Sequence, residues 1–252
     1  MFPNDNRYNN LKRSCKMIND NNIKNFKKNP HLIGIVENVS KKYGDDYLKN
    51  IIENFGADID WDLIKKFNDL GDPKNLQFKI KEKYYYLSPT TLRYVQFTLE
   101  ILEHMRVKNL QEVEVVEIGG GYGAQACMLY LLSKDINIKS YTILDLPEVN
   151  NLQNRFVKEW NSSLNIKCTT LENFTGNPNF LISNYALGEF NKETQDCYID
   201  KIVKKLDHGF ICWNFSPGNQ KIHLHFDTIE KEIVEENPQT NCHPVKSYNI
   251  KF

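Results

Sequence analysis

Residues 117–124, Glu-Ile-Gly-Gly-Gly-Tyr-Gly-Ala, hold the clearest chemical signal in the chain. Gly119, Gly120, Gly121 and Gly123 let a backbone turn sharply and approach a ligand with no Cβ in the way. An apolar run, Val113 to Ile118, leads into the turn, and an apolar, helix-forming stretch, Ala124 to Leu132, leaves it. Strand, glycine turn and helix make a nucleotide-type ligand site. The helix N-terminus there offers unpaired N–H groups and the positive end of its dipole. Further on, Asp145 follows a second apolar run, Ser140 to Leu144. That is roughly the 20-residue spacing at which a strand-end carboxylate accepts hydrogen bonds from ribose hydroxyls. Asp145 could equally cap a helix, because Asp and Pro147 before Glu148 suit a helix start.

The glycines fit G-x-G-x-G and, with Ala124, the dinucleotide form G-x-G-x-x-A. Glu117 decides between them. An acid two places before the first glycine is unusual in NAD-binding turns, whose strand end is apolar. It is usual in enzymes that bind S-adenosylmethionine, whose methionine end carries an ammonium group. The run therefore resembles motif I of the Rossmann-like (class I) methyltransferases. Asp145-Leu146-Pro147-Glu148-Val149 is similar to the Asp-Leu-Pro-x-Val segment of small-molecule O-methyltransferases. Together with Tyr86–Tyr94 and with Asn179–Phe190, whose Asn184, Tyr185 and Glu189 follow a buried strand, the pattern resembles a family of sugar O-methyltransferases over roughly residues 84–215.

That resemblance implies an α/β fold: a Rossmann-like, mostly parallel seven-stranded sheet with helices on both faces and its last strand antiparallel. It implies S-adenosylmethionine as cofactor, held by Glu117, Gly119, Gly120, Gly121, Gly123, Asp145, Leu146, Glu172, Asn184 and Tyr185. Upstream, Tyr86 and Arg93 join this set, with Arg93 able to pair the cofactor carboxylate bidentately. A surface salt bridge is the plainer reading of Arg93. The acceptor would be a hydroxyl of a sugar or nucleotide sugar, and its proton needs a base. Glu189 is the first candidate, and His223 or His225 the second. Glu189 could instead be a helix-start carboxylate, and one of the two histidines, alternating around Leu224, would face solvent. His104 reads as a solvent-facing helix residue and His208 as a loop residue. A divalent cation could assist the acceptor hydroxyl, although Asp145, Glu172 and Glu189 are not at ligand spacing.

The rest of the chain must position these groups. After residue 108 strands near 113–118, 140–145, 165–170, 180–184 and 209–214 alternate with helices, which predicts a parallel sheet. A helix near 225–234 and a last strand at Ser247–Phe252 should follow. Before it, residues 1–30 are polar and predict partial disorder. Three helical patterns follow around Leu32–Lys42, Asp46–Phe55 and Trp61–Leu70, punctuated by Gly44, Gly56 and Gly71, and then a long helix from Pro89 to about Arg106. The division expected is a helical cap over 1–108, serving acceptor binding or contacts in a homodimer, and a cofactor-binding core over 109–252.

With 32 basic and 32 acidic residues the formal charge is zero, which leaves no footprint for nucleic acid. The turn after the fourth strand also lacks the Pro-Pro-aromatic signature of adenine-specific DNA methyltransferases. Six cysteines show no C-x-x-C spacing, and Cys127, Cys168 and Cys212 read as buried thiols. No signal peptide and no apolar stretch of ~20 residues appears, so no membrane partner and a cytoplasmic location are expected. Two other functions fit the pattern less well. A nicotinamide-dependent oxidoreductase needs two mononucleotide halves, and a non-catalytic partner protein would keep the cofactor fold without the reaction.

Overall fold

A computed structural model describes residues 6–214, 230–240 and 246–252. Seven strands form one sheet: β3 (Glu112–Ile118), β4 (Asn137–Leu144), β5 (Ile166–Thr169), β6 (Phe180–Asn184), β7 (Gly209–Trp213), β8 (Glu232–Glu235) and β9 (Tyr248–Lys251). Their order is β5-β4-β3-β6-β7-β9-β8. All neighbours are parallel except β9, which runs antiparallel to both β7 and β8. Counted from β3 this is the order 3-2-1-4-5-7-6, a seven-stranded sheet with its last strand antiparallel as the resemblance implied. The chain reverses its direction of strand addition at β3, so a crevice opens at its carboxyl end, between the turns that follow β3 and β6. β6 over Phe180–Ser183 and β3 over Val115–Ile118 are buried on both faces, because helices cover both sides of the sheet.

Between the strands lie α6 (Ala124–Leu132), α7 (Pro147–Asn161) and α8 (Lys192–Lys201). The helix expected near 225–234 is not what forms at its described end: residues 232–235 are strand β8, whose alternating Ile233 and Val234 pair with Ile250 and Asn249. The remainder of that expected helix lies outside the described residues.

The N-terminal part comprises α1 (Asn6–Met17), α2 (Pro30–Val36), α3 (Lys41–Phe55), α4 (Trp61–Asp69), a hairpin of β1 (Leu76–Ile80) and β2 (Lys83–Leu87), and α5 (Pro89–Val107). Two expectations fail here. Residues 6–28 are ordered as a helix and a 3-10 turn, because Leu11, Cys15, Ile18, Ile23 and Phe26 are buried against the rest of the molecule. And α3 runs straight through Gly44 instead of breaking there. A Cβ on Gly44 would lie 2.8 Å from Pro89 Cβ and 2.9 Å from Phe78 Cζ, so this glycine lets α3 approach the start of α5. Ser40 and Ser88 cap α3 and α5 by accepting from Tyr43 N and Thr90 N, and Pro89 fills the first helical position. One apolar cluster runs continuously from Leu11 through α3, α5 and α6 to Phe180 and Cys212, so the boundary expected near residue 108 divides the sequence without dividing the core. Among the described residues no helix is long and apolar enough to cross a membrane.

Candidate functional site

The glycine turn leaves β3 with three residues at positive φ: Gly119 at 72°, Gly121 at 55° and Gly123 at 91°. Only glycine takes this conformation without strain. Gly119 N donates to Leu144 O at 3.0 Å, extending the β3–β4 ladder past the strand end, and Gly123 N donates to Gly120 O at 2.8 Å to close the turn. A Cβ on Gly119 would overlap Ala186, and one on Gly120 would lie 2.5 Å from Ile143 and 2.8 Å from Glu117 Oε2. Gly121 differs: a Cβ there would meet nothing nearer than Tyr94 Oη at 3.7 Å. Space is open over Gly121 and closed beneath Gly119 and Gly120. Gly123 precedes α6 without a side-chain cap.

Glu117 lies under this turn and is buried. It accepts a 3.0 Å hydrogen bond from Tyr141 Oη and joins no ion pair among the described residues. Burial pushes its carboxyl up to about 8, against the Tyr141 hydrogen bond, and the nearby Asp145 adds to the rise. An acid held this way favours a positive ligand group that would stabilise its ionised form.

Asp145 stands beyond β4 and is half-buried. Its Oδ1 accepts from Leu146 N at 2.8 Å and its Oδ2 from Gln153 Nε2 at 2.9 Å. It is not the helix cap: that position belongs to Leu146, which makes no side-chain cap bond, and Asp145 meets α7 through Gln153 instead. Burial raises its carboxyl to about 7 despite these hydrogen bonds. Gln153 also donates to Gly121 O at 3.0 Å, tying the β4 end to the glycine turn, and its Oε1 is buried without a partner. Sequence reasoning missed Gln153. Its distance of eight residues from Asp145 along a helix that starts at Pro147 is a signal that could have found it. Glu172 is exposed in the turn after β5, where its own N–H and the Thr170 hydroxyl hold its carboxyl low.

At the end of β6, Asn184 donates to Gln125 Oε1 at 3.2 Å while its Oδ1 is buried with no partner. Tyr185 has φ 57°, an outlier for a non-glycine residue. Ala186 touches Gly119, so this segment lies directly against the glycine turn. The Tyr185 hydroxyl donates to Glu236 Oε1. Glu236 follows β8, is buried, and also accepts from Thr240 Oγ1 at 2.8 Å and from Tyr47 Oη at 3.5 Å. The Arg93 guanidinium stacks 5.2 Å from the Tyr185 ring and 5.8 Å from Tyr94, and donates to Asn38 Oδ1 at 3.2 Å. Burial works against its charge and the nearby Glu236 favours it, and a guanidinium stays protonated in a protein. Arg93 is thus no surface salt bridge, and it makes no ion pair among the described residues. Tyr86, by contrast, is exposed on β2 and bonds Gln77 across the hairpin. Among the described residues nothing links it to the glycine turn.

Among the candidate bases, Glu189 sits exposed at the end of a short 3-10 turn, Leu187–Glu189, and accepts a hydrogen bond from Asn214 Nδ2. It lies before α8, whose cap is Asn191, so it belongs to the 3-10 turn and not to the first turn of α8. His223 and His225 lie outside the described residues. His104 is buried, contrary to expectation, with its Nε2 2.9 Å from Phe252 O. Cys127 and Cys212 are buried as expected, while Cys168 is partly exposed. Among the described residues no group of three or more His, Cys, Asp or Glu could hold a metal ion.

The N-terminal part closes over this crevice. Tyr122, inside the glycine run, is fully buried against Phe26, Tyr94 and Phe156, with ring centroids 5.3, 5.7 and 4.8 Å away. Beside it the buried Lys27 pairs with Glu37 at 3.6 Å and lies 4.9 Å over the Tyr122 ring. Burial lowers the Lys27 pKa and Glu37 opposes that. Ser88 and Tyr122 both donate to Glu37.

The open space over Gly121, the two orphaned amide oxygens of Asn184 and Gln153, the buried acid Glu117 and the Arg93 charge, neither in an ion pair among the described residues, together fit a ligand with a ribose, a positive group and a carboxylate. No protein-family model matches the chain, and no curated protein matches it. Among solved structures it is similar to magnesium protoporphyrin IX methyltransferase from Synechocystis, solved with bound SAM, at 14% identity over 64% of this chain and 79% of that one, with a TM-score of 0.47. It is also similar to precorrin-6y C5,15-methyltransferase from Geobacter metallireducens (13% identity, 62% and 86% covered, TM-score 0.44). A SAM-dependent methyltransferase from Aquifex aeolicus resembles it at 12% identity over 61% and 90%, with a TM-score of 0.42. At these identities and scores the likenesses decide neither ligand nor reaction.

Proposed function

We propose that the protein is an S-adenosylmethionine-dependent O-methyltransferase acting on a hydroxyl of a sugar or nucleotide sugar. The observation that carries the cofactor assignment is Glu117, a buried acid beneath an open glycine turn with no basic partner among the described residues. A nicotinamide dinucleotide would bring its pyrophosphate to this turn, and a negative group there does nothing to stabilise the ionised form of the buried acid. A methionine end carries an ammonium group that the same carboxylate attracts. The antiparallel β9 also leaves less than the six parallel strands of a paired dinucleotide fold.

Bound here, the cofactor would supply an already activated methyl group on a sulfonium. The chain's own residues would do the rest. Asp145, with Gln153 holding one of its oxygens, is available to the ribose hydroxyls. Arg93 keeps its charge and is available to the carboxylate. The aromatic cover from Tyr47, Tyr94 and Tyr122 excludes water, and holding the acceptor in line supplies much of the rate. The acceptor class rests on the resemblance of residues 84–215. Calorimetry with S-adenosylmethionine and with NAD tests the first half: binding of NAD alone overturns it. Transfer of a labelled methyl group to a panel of nucleotide sugars tests the second half.

A further inference from the structure

We propose that Tyr185 and Glu236 form the proton relay of the reaction, with Tyr185 the catalytic residue that takes the acceptor's proton and Glu236 the residue that receives the phenol's own. This rests on the reading of the site as a methyltransferase.

Five observations meet here. Tyr185 follows the carboxyl end of β6, and its neighbour Ala186 touches Gly119, so the phenol stands beside the glycine turn. Glu236 follows the carboxyl end of β8, which runs parallel to β6 three places along the sheet. The two side chains cross the intervening edge to meet in a direct hydrogen bond. Tyr185 holds a positive φ, the kind of local strain that persists where the surroundings over-determine it. A groove of about 460 Å³ lies between α3 and the segment after β8, lined by Lys42, Asp46, Lys49, Asn50 and Glu53 and by Asn237. Asp46 and Asn237, which line it, are the chain neighbours of the buried Tyr47 and Glu236.

The proton moves as follows. The acceptor O–H bond breaks, and its proton goes to Tyr185 Oη as the Tyr185 proton passes to Glu236 Oε1. The oxygen's electron pair forms the new bond to the methyl carbon, and the carbon–sulfur pair leaves with the sulfur of the methyl sulfonium donor. Glu236 ends protonated and returns its proton to solvent. Burial keeps the Tyr185 phenol protonated at neutral pH, with Cys212, Tyr47 and Glu236 adding to that and Arg93 opposing it, so the phenol passes a proton on and does not begin as a phenolate. Thr240 holds the other Glu236 oxygen and fixes the carboxylate's orientation.

The test uses the full chain, S-adenosylmethionine labelled in the methyl group, and a panel of UDP- and dTDP-hexoses. Tyr185→Phe and Glu236→Gln should each lower kcat by about 10²–10⁴-fold, leave KM and S-adenosylhomocysteine affinity within about threefold, and fail to add in the double variant. A readout apart from turnover is the Tyr185 resonance in protein labelled with 13C at tyrosine Cζ, assigned by its loss in Tyr185→Phe. In Glu236→Gln it should titrate at lower pH than in the wild type, because the anion that opposes phenol ionisation is gone. A kcat within threefold of wild type in either folded variant, or an unmoved Tyr185 titration, overturns the relay. If Tyr185→Phe does not fold, Glu236→Gln decides alone. A wild type that binds S-adenosylmethionine and transfers to no panel member overturns the sugar reading and the relay with it, a different result from an active wild type with active variants.

Discussion

Replacing Glu117 with glutamine should make the ligand-free protein more stable in mild alkali and unable to hold its cofactor. Glutamine keeps the shape and still accepts from Tyr141, but it never ionises. In the folded protein the Glu117 carboxyl titrates at about 8, against an ordinary 4.5. The fold therefore binds this proton more tightly than the unfolded chain does. The group's full contribution to stability is present below pH 4.5 and is lost as pH rises toward 8. Those two values correspond to a loss of about 4–5 kcal/mol by pH 8.5, a large share of an ordinary folding free energy. Asp145, raised to about 7, is present in both proteins and largely cancels in the difference. Urea unfolding at pH 5 and pH 8.5 is the assay. Wild type and Glu117→Gln should agree within about 1 kcal/mol at pH 5. At pH 8.5 the variant should be the more stable by about 4 kcal/mol, or on the order of 10 °C in Tm. Adding S-adenosylmethionine at pH 8.5 should stabilise only the wild type. Equal stability of the two proteins at pH 8.5 refutes the claim that a buried, uncompensated carboxylate waits under the glycine turn.

Gly121→Val should abolish S-adenosylmethionine binding in calorimetry while circular dichroism still reports a folded sheet, since a branched side chain would fill the open space over the turn; unchanged affinity contradicts this. Asp145→Ala should weaken S-adenosylmethionine and S-adenosylhomocysteine equally, by about 1.5–3 kcal/mol, because both carry the same ribose. Equal affinity in mutant and wild type would leave Asp145 only a partner of Gln153. Glu189→Gln separates two bases: with the relay at Tyr185, turnover on the nucleotide-sugar panel stays within about threefold of wild type, and a loss of about 10²-fold or more returns the base to Glu189.

Elements whose signal is local were legible in the sequence. The β3 run, its glycines and the α6 start announce themselves because apolar periodicity and φ > 0 demands are written in consecutive residues. Asp145 and Asn184 are picked out in the sequence as strand-end positions, where sheets of this kind bind ligands, and the structure places both at strand ends. What stayed hidden depends on distant parts of the chain. Gly44 looked like a helix break because nothing local reveals Phe78 and Pro89 pressed against it. Residues 6–28 looked too polar to order because their few apolar side chains, Ile23 and Phe26 among them, are buried by α7 and the glycine turn. His104 reads as exposed until the last residue of the chain comes back to bond it. Glu236 carries no motif: it follows a four-residue strand mistaken for helix, and only the fold brings it to Tyr185.

The burial of Tyr122 bears on how such a chain can be recombined. Its ring sits inside the glycine run yet is packed by Phe26, from the N-terminal segment, and by Phe156, from α7. A chimera spliced at residue 108 would strip Phe26 and Lys27 away and leave Tyr122, Phe156 and Trp160 as an apolar face open to water, a surface prone to self-association. The N-terminal part is therefore no interchangeable cartridge. A graft meant to bring a new acceptor preference must also carry a residue that fills the place of Phe26 and a pair that replaces Lys27 and Glu37, so in this chain specificity and foldability are inherited together.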